Sequence, residues 1–137
     1  MRKVMIFIFA LIVCIVSVGA ERREPHYESI DWEGQGFQKM HVTAYYKGHH
    51  TANGSAVHEG GCACNPHLGD VAIVYTTGGQ YLGIYECNDT GSASGLVNGT
   101  TIDIYRSNLT RCQMLMKITA TEGGKSMVYV KWVKGDG

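Results

Sequence analysis

The stretch Val71-Ala72-Ile73-Val74-Tyr75-Thr76, the turn Thr77-Gly78-Gly79-Gln80 and the run Tyr81-Leu82-Gly83-Ile84-Tyr85-Glu86-Cys87 decide the fold. A continuous β-branched run, two glycines and a second aromatic-rich run predict a β-hairpin, because only glycine enters the turn conformation without steric cost. Upstream, Met40, Val42, Ala44 and Tyr46 alternate with His41, Thr43 and Tyr45, the period-two pattern of a half-buried strand. His49 to Gly61 reads as a loop of small and polar residues. Downstream, Gly91 to Gly99 is a Gly-rich loop before a short strand, Thr101 to Tyr105. Ser107 is placed to cap a helix beginning at Asn108, with Leu109, Cys112, Leu115 and Met116 at helical spacing and Gly123-Gly124 closing it. The β-branched residues in Lys117–Thr121 weaken its last turn. Met127 to Val133 is a final strand. Short strands separated by Gly-rich turns, with one short helix, predict a mostly β chain closed as a barrel rather than an open sheet.

The chain has 137 residues, 12 Lys+Arg against 12 Asp+Glu, and 18 glycines without a G-X-Y period. That length suits one domain, placed at residues 39–134. Residues 1–20 hold Arg2, Lys3, an apolar run from Val4 to Val18, and small residues ending at Ala20. This is the layout of a signal peptide cleaved after Ala20, too short for a comfortable membrane span and without a stop-transfer flank. The expectation is therefore export, with only a transient membrane encounter, and residues 21–38 as an N-terminal arm or linker. The exported part keeps 10 basic and 12 acidic side chains. It lacks the positive field that nucleic-acid binding relies on, so no such partner is expected.

Export changes the reading of the cysteines. Setting Cys14 aside leaves Cys62, Cys64, Cys87 and Cys112, an even number in an oxidising compartment. A bridge between Cys62 and Cys64 would be strained, so each is expected to pair with one of Cys87 and Cys112. A zinc site from Cys62, Cys64 and His67 is the rival, but it lacks a second close ligand pair. A Cys/His nucleophile at Cys87 has no local sequence to single it out. No metal or organic cofactor is expected.

Two aspartates stand out. In Ile102-Asp103-Ile104, isoleucines that fill a core leave Asp103 on the opposite face of the strand with apolar neighbours. Desolvation there would raise its pKa toward what a general acid needs, although the same pattern also describes an ordinary solvent-facing carboxylate. Asp89 lies in Asn88-Asp89-Thr90-Gly91, where a strand enters a Gly-rich loop. An Asp-Thr-Gly triplet commonly fixes a loop, and an aspartic protease would need a second copy. The N-x-S/T triplets at Asn53, Asn88, Asn98 and Asn108 match glycosylation acceptors, but two of them overlap the elements below.

Taken in order, Thr43-Ala44-Tyr45, Thr51-Ala52-Asn53-Gly54, Val57-His58-Glu59-Gly60, Leu68-Gly69-Asp70, Asn88-Asp89-Thr90-Gly91 and Ile102-Asp103-Ile104-Tyr105 form a set. It resembles the three-aspartate (3D) domain, the double-psi β-barrel core shared with membrane-bound lytic transglycosylase A, stationary-phase-survival-like proteins and secreted proteins of Gram-positive bacteria. The resemblance spans Met40 to Val133. It implies a six-stranded double-psi β-barrel and a secreted, wall-associated monomer that cuts the glycan strands of peptidoglycan. The family's proposed catalytic acid falls on Asp103 and its Asp-Thr-Gly aspartate on Asp89. Its first aspartate is expected in Cys62-Ala63-Cys64-Asn65-Pro66, where this chain has Asn65. A neutral amide hydrogen-bonds but cannot hold up a neighbour's pKa by charge.

A hydrolytic glycosidase normally needs two carboxylates, whereas a lytic transglycosylase can work with one. Protonated Asp103 would give its proton to the glycosidic oxygen and then take one from the muramyl 6-hydroxyl, which closes on C1 as a 1,6-anhydro end. Asn65, Asp89 and Thr90 would orient the acid or bind sugar hydroxyls, and Tyr45, Tyr46 and Tyr105 would stack on sugar rings or simply pack. The alternative is a non-catalytic module that binds or loosens wall glycan, as in expansin-like and barwin-like proteins.

Overall fold

The computed structural model describes residues 29–48 and 51–135. The signal segment expected at 1–20, and the arm as far as Tyr27-Glu28, lie outside the described residues. Six strands and two helices follow in chain order: β1 (Gln38–Tyr45), β2 (Gly61–Ala63), β3 (Val71–Thr76), β4 (Tyr81–Asp89), α1 (Ser94–Val97), β5 (Thr101–Tyr105), α2 (Leu109–Thr119) and β6 (Met127–Val133). The strands close in the order β1-β5-β2-β4-β3-β6, with β6 returning to β1. The pairs β1/β5 and β2/β4 are parallel and the rest antiparallel.

The alternation in the sequence is what fills the barrel. Met40 and Val42 of β1, Ala72 and Val74 of β3, Ile102 and Ile104 of β5, and Val128 and Val130 of β6 meet in one core with Cys62, Tyr85 and Leu115. The hairpin turns through Gly79 at φ +95°, with the Gly79 amide donating to the Thr76 carbonyl at 3.0 Å. A side chain at that φ is strained, so glycine at position 79 is a backbone requirement. Outside the barrel, residues 32–36 form turns, and Trp32 stacks on Tyr129 with ring centroids 4.6 Å apart while meeting Phe37 edge-on. Part of the segment read as an arm is therefore built into the body.

Four expectations need correction. Among the described residues there are two helices rather than one, since Ser94–Val97 forms a single turn inside the Gly-rich loop. The cap of α2 is Asn108 rather than Ser107: the Asn108 side chain accepts from the Arg111 amide at 2.9 Å, and the Ser107 amide donates to Glu59 at 2.7 Å. The helix also stops at Thr119, and Ala120 turns extended to bridge Ser126, so Gly123-Gly124 belong to the following turn. Of the cysteines, Cys64 bonds Cys87, whereas Cys62 and Cys112 are free and buried. Cys62 points into the barrel core opposite Cys87, whose sulfur Cys64 has already taken.

α2 contributes Leu115 to the core and turns Met114 outward at 62% exposure. Leu115→Ala is expected to cost about 2–5 kcal/mol in urea unfolding, by lost transfer energy plus a cavity. Met114→Ala should change stability by less than about 0.5 kcal/mol. Equal losses at both positions would contradict this seating of the helix.

Candidate functional site

The site is built by register. β2 lies between β5 and β4, and Ala63 is the Cα partner of Asp103 on one side and of Asp89 on the other. A bulge between Cys62 and Ala63 skips Asn88 and brings Asp89 into that position. On the far side of β5, Thr43 pairs with Asp103 and Tyr45 with Tyr105. Because Ile102 and Ile104 face the core, Asp103 faces outward, and register partners share a face. Thr43, Asp103, Ala63 and Asp89 thus form one row across four strands. At about 4.8 Å per strand, the two aspartate Cα atoms lie roughly 10 Å apart.

The two carboxylates are treated differently by their surroundings. Asp89 Oδ1 accepts from the amides of Ala52 and Thr90, both at 2.9 Å, and so ties the Thr51–Ser55 loop to the end of β4. That loop is knit by the Thr51 amide donating to Ser55 O at 2.8 Å and by Asn53 Oδ1 accepting from the Ser55 amide at 3.0 Å. Asp103 is half-buried, and its Oδ1 is buried with no hydrogen-bond partner among the described residues. Loss of solvent raises its pKa above the ordinary 3.8, the Asp89 charge adds to the rise, and the Thr43 side chain partly offsets it. A pocket of about 260 Å³ opens beside Asp89, lined by Ala52, Asn53, Pro66, Asn88 and Thr90 among others.

The remaining residues singled out from sequence fall in different places. Tyr45 joins the aspartates: its ring meets Tyr105 edge-on at 5.4 Å, and its buried hydroxyl has no partner among the described residues. Burial, then Asp89 and Asp103, push the Tyr45 phenol above its ordinary range. Thr90 is exposed in the pocket wall. Asn65 is turned away to hold α1, with Nδ2 donating to Val97 O at 2.8 Å and Oδ1 accepting from the His67 amide at 3.0 Å. Cys62 lies beneath the row, its thiol pushed up to about 12 by burial, then by Asp103 and Glu86. The zinc alternative loses a ligand because Cys64 is disulfide-bonded, and no group of three candidate metal ligands occurs among the described residues. The N-x-S/T triplets also have local explanations: Asn98 Oδ1 accepts from Thr100 at 2.6 Å, Asn108 caps α2, and Asn88 is 3% exposed.

Sequence reasoning missed Glu59 as a single residue. Its carboxylate accepts from Arg106 at 3.2 Å and from the Ser107 amide at 2.7 Å, and pairs with Arg111 at 3.4 Å. Arg106 also donates to Tyr85 Oη at 3.2 Å. Partners 47 residues apart leave no spacing signal to read. Burial alone would raise the Glu59 pKa, but the Ser107 amide and the Arg106 guanidinium outweigh it and hold the carboxyl below its ordinary range. No family model, curated protein or solved structure matches the chain.

The two acids predict opposite pH behaviour. The folded pKa of Asp103 lies above 3.8, so its contribution to stability is complete below 3.8 and is lost as pH rises through the folded value. Asp103→Asn should therefore be more stable than the parent to urea at pH 7, with the gap closing toward pH 3. A less stable variant at pH 7 would reveal a stabilising partner for the carboxylate. The folded pKa of Glu59 lies below 4.5, so its contribution is present above 4.5 and is lost as pH falls through the folded value. Glu59→Gln should cost about 1 kcal/mol at pH 7 and less in acid, given its partial exposure. A cost that grows on acidification would contradict this.

Proposed function

We propose that this protein is a secreted cell-wall enzyme that cleaves the glycan strands of peptidoglycan as a lytic transglycosylase, on a double-psi β-barrel. The observation that carries the reading is Asp103, an outward-facing aspartate that desolvation and Asp89 favour in its protonated form. A general acid must hold its proton until the leaving oxygen needs it. The mix of two parallel pairs with antiparallel neighbours in a closed ring supports the barrel topology, and the Cys64–Cys87 bond supports an oxidising destination.

The chemistry asks one carboxyl group to act twice. Asp103 donates its proton to the glycosidic oxygen as the bond to C1 breaks. The carboxylate then accepts the proton of the muramyl 6-hydroxyl as that oxygen bonds C1, which returns Asp103 to its starting state and leaves a 1,6-anhydro end. Asp89 serves as a positioning residue through the loop it anchors, and the pocket at Thr90 offers room for a sugar ring.

One observation favours the second reading, a non-catalytic glycan-binding or loosening module. Asn65 stands where the 3D pattern has an acid, and both ends of its amide are bonded within the chain. Purified sacculi incubated with the protein decide between the two. Mass spectrometry of soluble muropeptides should show 1,6-anhydro ends with the parent and a loss of at least about 100-fold with Asp103→Asn. Tight sacculus binding without release would overturn the enzymatic reading in favour of the second.

A further inference from the structure

Two guanidinium groups share one carboxylate at the start of α2. Glu59 Oε2 accepts from Arg106 at 3.2 Å, while Oε1 accepts from the Ser107 amide at 2.7 Å and pairs with Arg111 Nε at 3.4 Å. Both carboxylate oxygens are thus taken, and one positive charge is left over. Arg106 is held within the chain, since its other terminal nitrogen donates to Tyr85 Oη at 3.2 Å. Arg111 is not so held. Its side chain is exposed, and its two terminal nitrogens have no partner among the described residues. A guanidinium presents its N–H groups as a fork that matches a carboxylate.

The excess charge faces an apolar wall. Arg111, Met114, Leu115 and Ile118 follow one another at helical spacing along one side of α2, and with Arg106 they line a pocket of about 140 Å³. Leu115 belongs to the core, whereas Met114 and Ile118 are 62% and 48% exposed. Among the described residues no acid lines the pocket, and the first turn of α2 carries none. A cavity of this order holds a group about the size of benzene, so a long acyl chain does not fit. An ammonium group would meet two like charges, and a bare phosphate would leave the apolar side unused. A carboxylate on a short aliphatic chain satisfies both halves.

We propose that this pocket binds the C-terminal carboxylate of the peptide stem of peptidoglycan, with Arg111 on the carboxylate and Met114 and Ile118 on the last aliphatic side chain. This rests on the wall-glycan reading and adds the part of the substrate that the aspartate row does not touch. The spacing suits it. Arg106 follows β5 three residues beyond Asp103, roughly 10 Å along an extended chain. A stem of four or five residues spans about 13–18 Å, so a muramyl sugar held at Asp103 can set its stem terminus here.

The test follows backbone amide shifts of the purified protein by NMR as acetyl-D-alanyl-D-alanine, the same dipeptide with its C-terminus amidated, and butyrate are titrated in turn. The dipeptide should move the amides of Arg106, Arg111, Met114 and Ile118, and the amidated form should bind at least about tenfold more weakly. Arg111→Gln changes an exposed side chain and should lower the affinity for the dipeptide by a similar factor. Added salt should weaken binding in the parent. Equal binding of acid and amide, no shifts at these residues, or an Arg111→Gln variant that binds like the parent would overturn the carboxylate site. Butyrate bound as tightly as the dipeptide would overturn its assignment to the peptide stem. Because no turnover is needed, a parent that releases no muropeptides would sink the enzymatic reading and leave these titrations to judge the pocket.

Discussion

Everything at the site depends on the double pairing of Ala63. β2 is three residues long, yet it joins β5 to β4 and sets Asp103 and Asp89 on either side of one alanine. So short a ladder offers few hydrogen bonds of its own, and it is held by additional ties. The Cys64 amide donates to Asp89 O at 3.1 Å, and the Glu86 amide donates to Gly60 O at 2.7 Å. The Cys64–Cys87 bond clamps β2 to β4 across 23 residues of chain, a restraint of a kind that contributes about 2–4 kcal/mol. Gly61 matters for a related reason: a Cβ there would come within 2.8 Å of the Asn88 side chain, the residue that the bulge leaves unpaired. A wider residue at Gly61 would force the Asn88 side chain to shift.

From that register follows a division of roles between two like groups. Asp89 offers Oδ1 to two backbone amides and in doing so fixes a loop, whereas Asp103 Oδ1 has no donor among the described residues. A carboxyl group with one oxygen unpartnered, half out of water and near another carboxylate, has its pKa raised, and the Thr43 side chain offsets only part of that. Burial is the leading cause of the rise in the Asp103 pKa, and it needs no acid at the position of Asn65. The Glu59 cluster stands beside this arrangement as support: it binds the His58–Glu59 turn to the end of β5 and the start of α2.

How much of this was legible depends on the range of the interaction. The strands that fill the core were readable from local signals: the period of two at Met40 and Val42, the isoleucines flanking Asp103, and the β-branched run that holds Val74. β2 was not, because Gly61-Cys62-Ala63 is too short to show a period and owes its extended form to partners far away in sequence. The outward face of Asp103 followed from its two isoleucines. The position of Tyr45 beside both aspartates did not, since it needs the parallel register of β1 on β5 and the bulge before Ala63 at once. The cysteine pairing was half legible: parity allowed two bonds, but only Cys64 and Cys87 are joined, while Cys62 packs in the core and Cys112 stays free.

The central claim is that the row from Thr43 to Asp89 is where this protein meets a glycan. Backbone amide shifts measured by NMR, as a soluble peptidoglycan glycan fragment is added, test it directly. The account predicts that the largest changes gather at Thr43–Tyr45, Ala63, Asp89–Thr90 and Asp103–Tyr105. Changes confined to the Trp32, Tyr81 and Ile84 side of the barrel, or no change at saturating fragment, would contradict it.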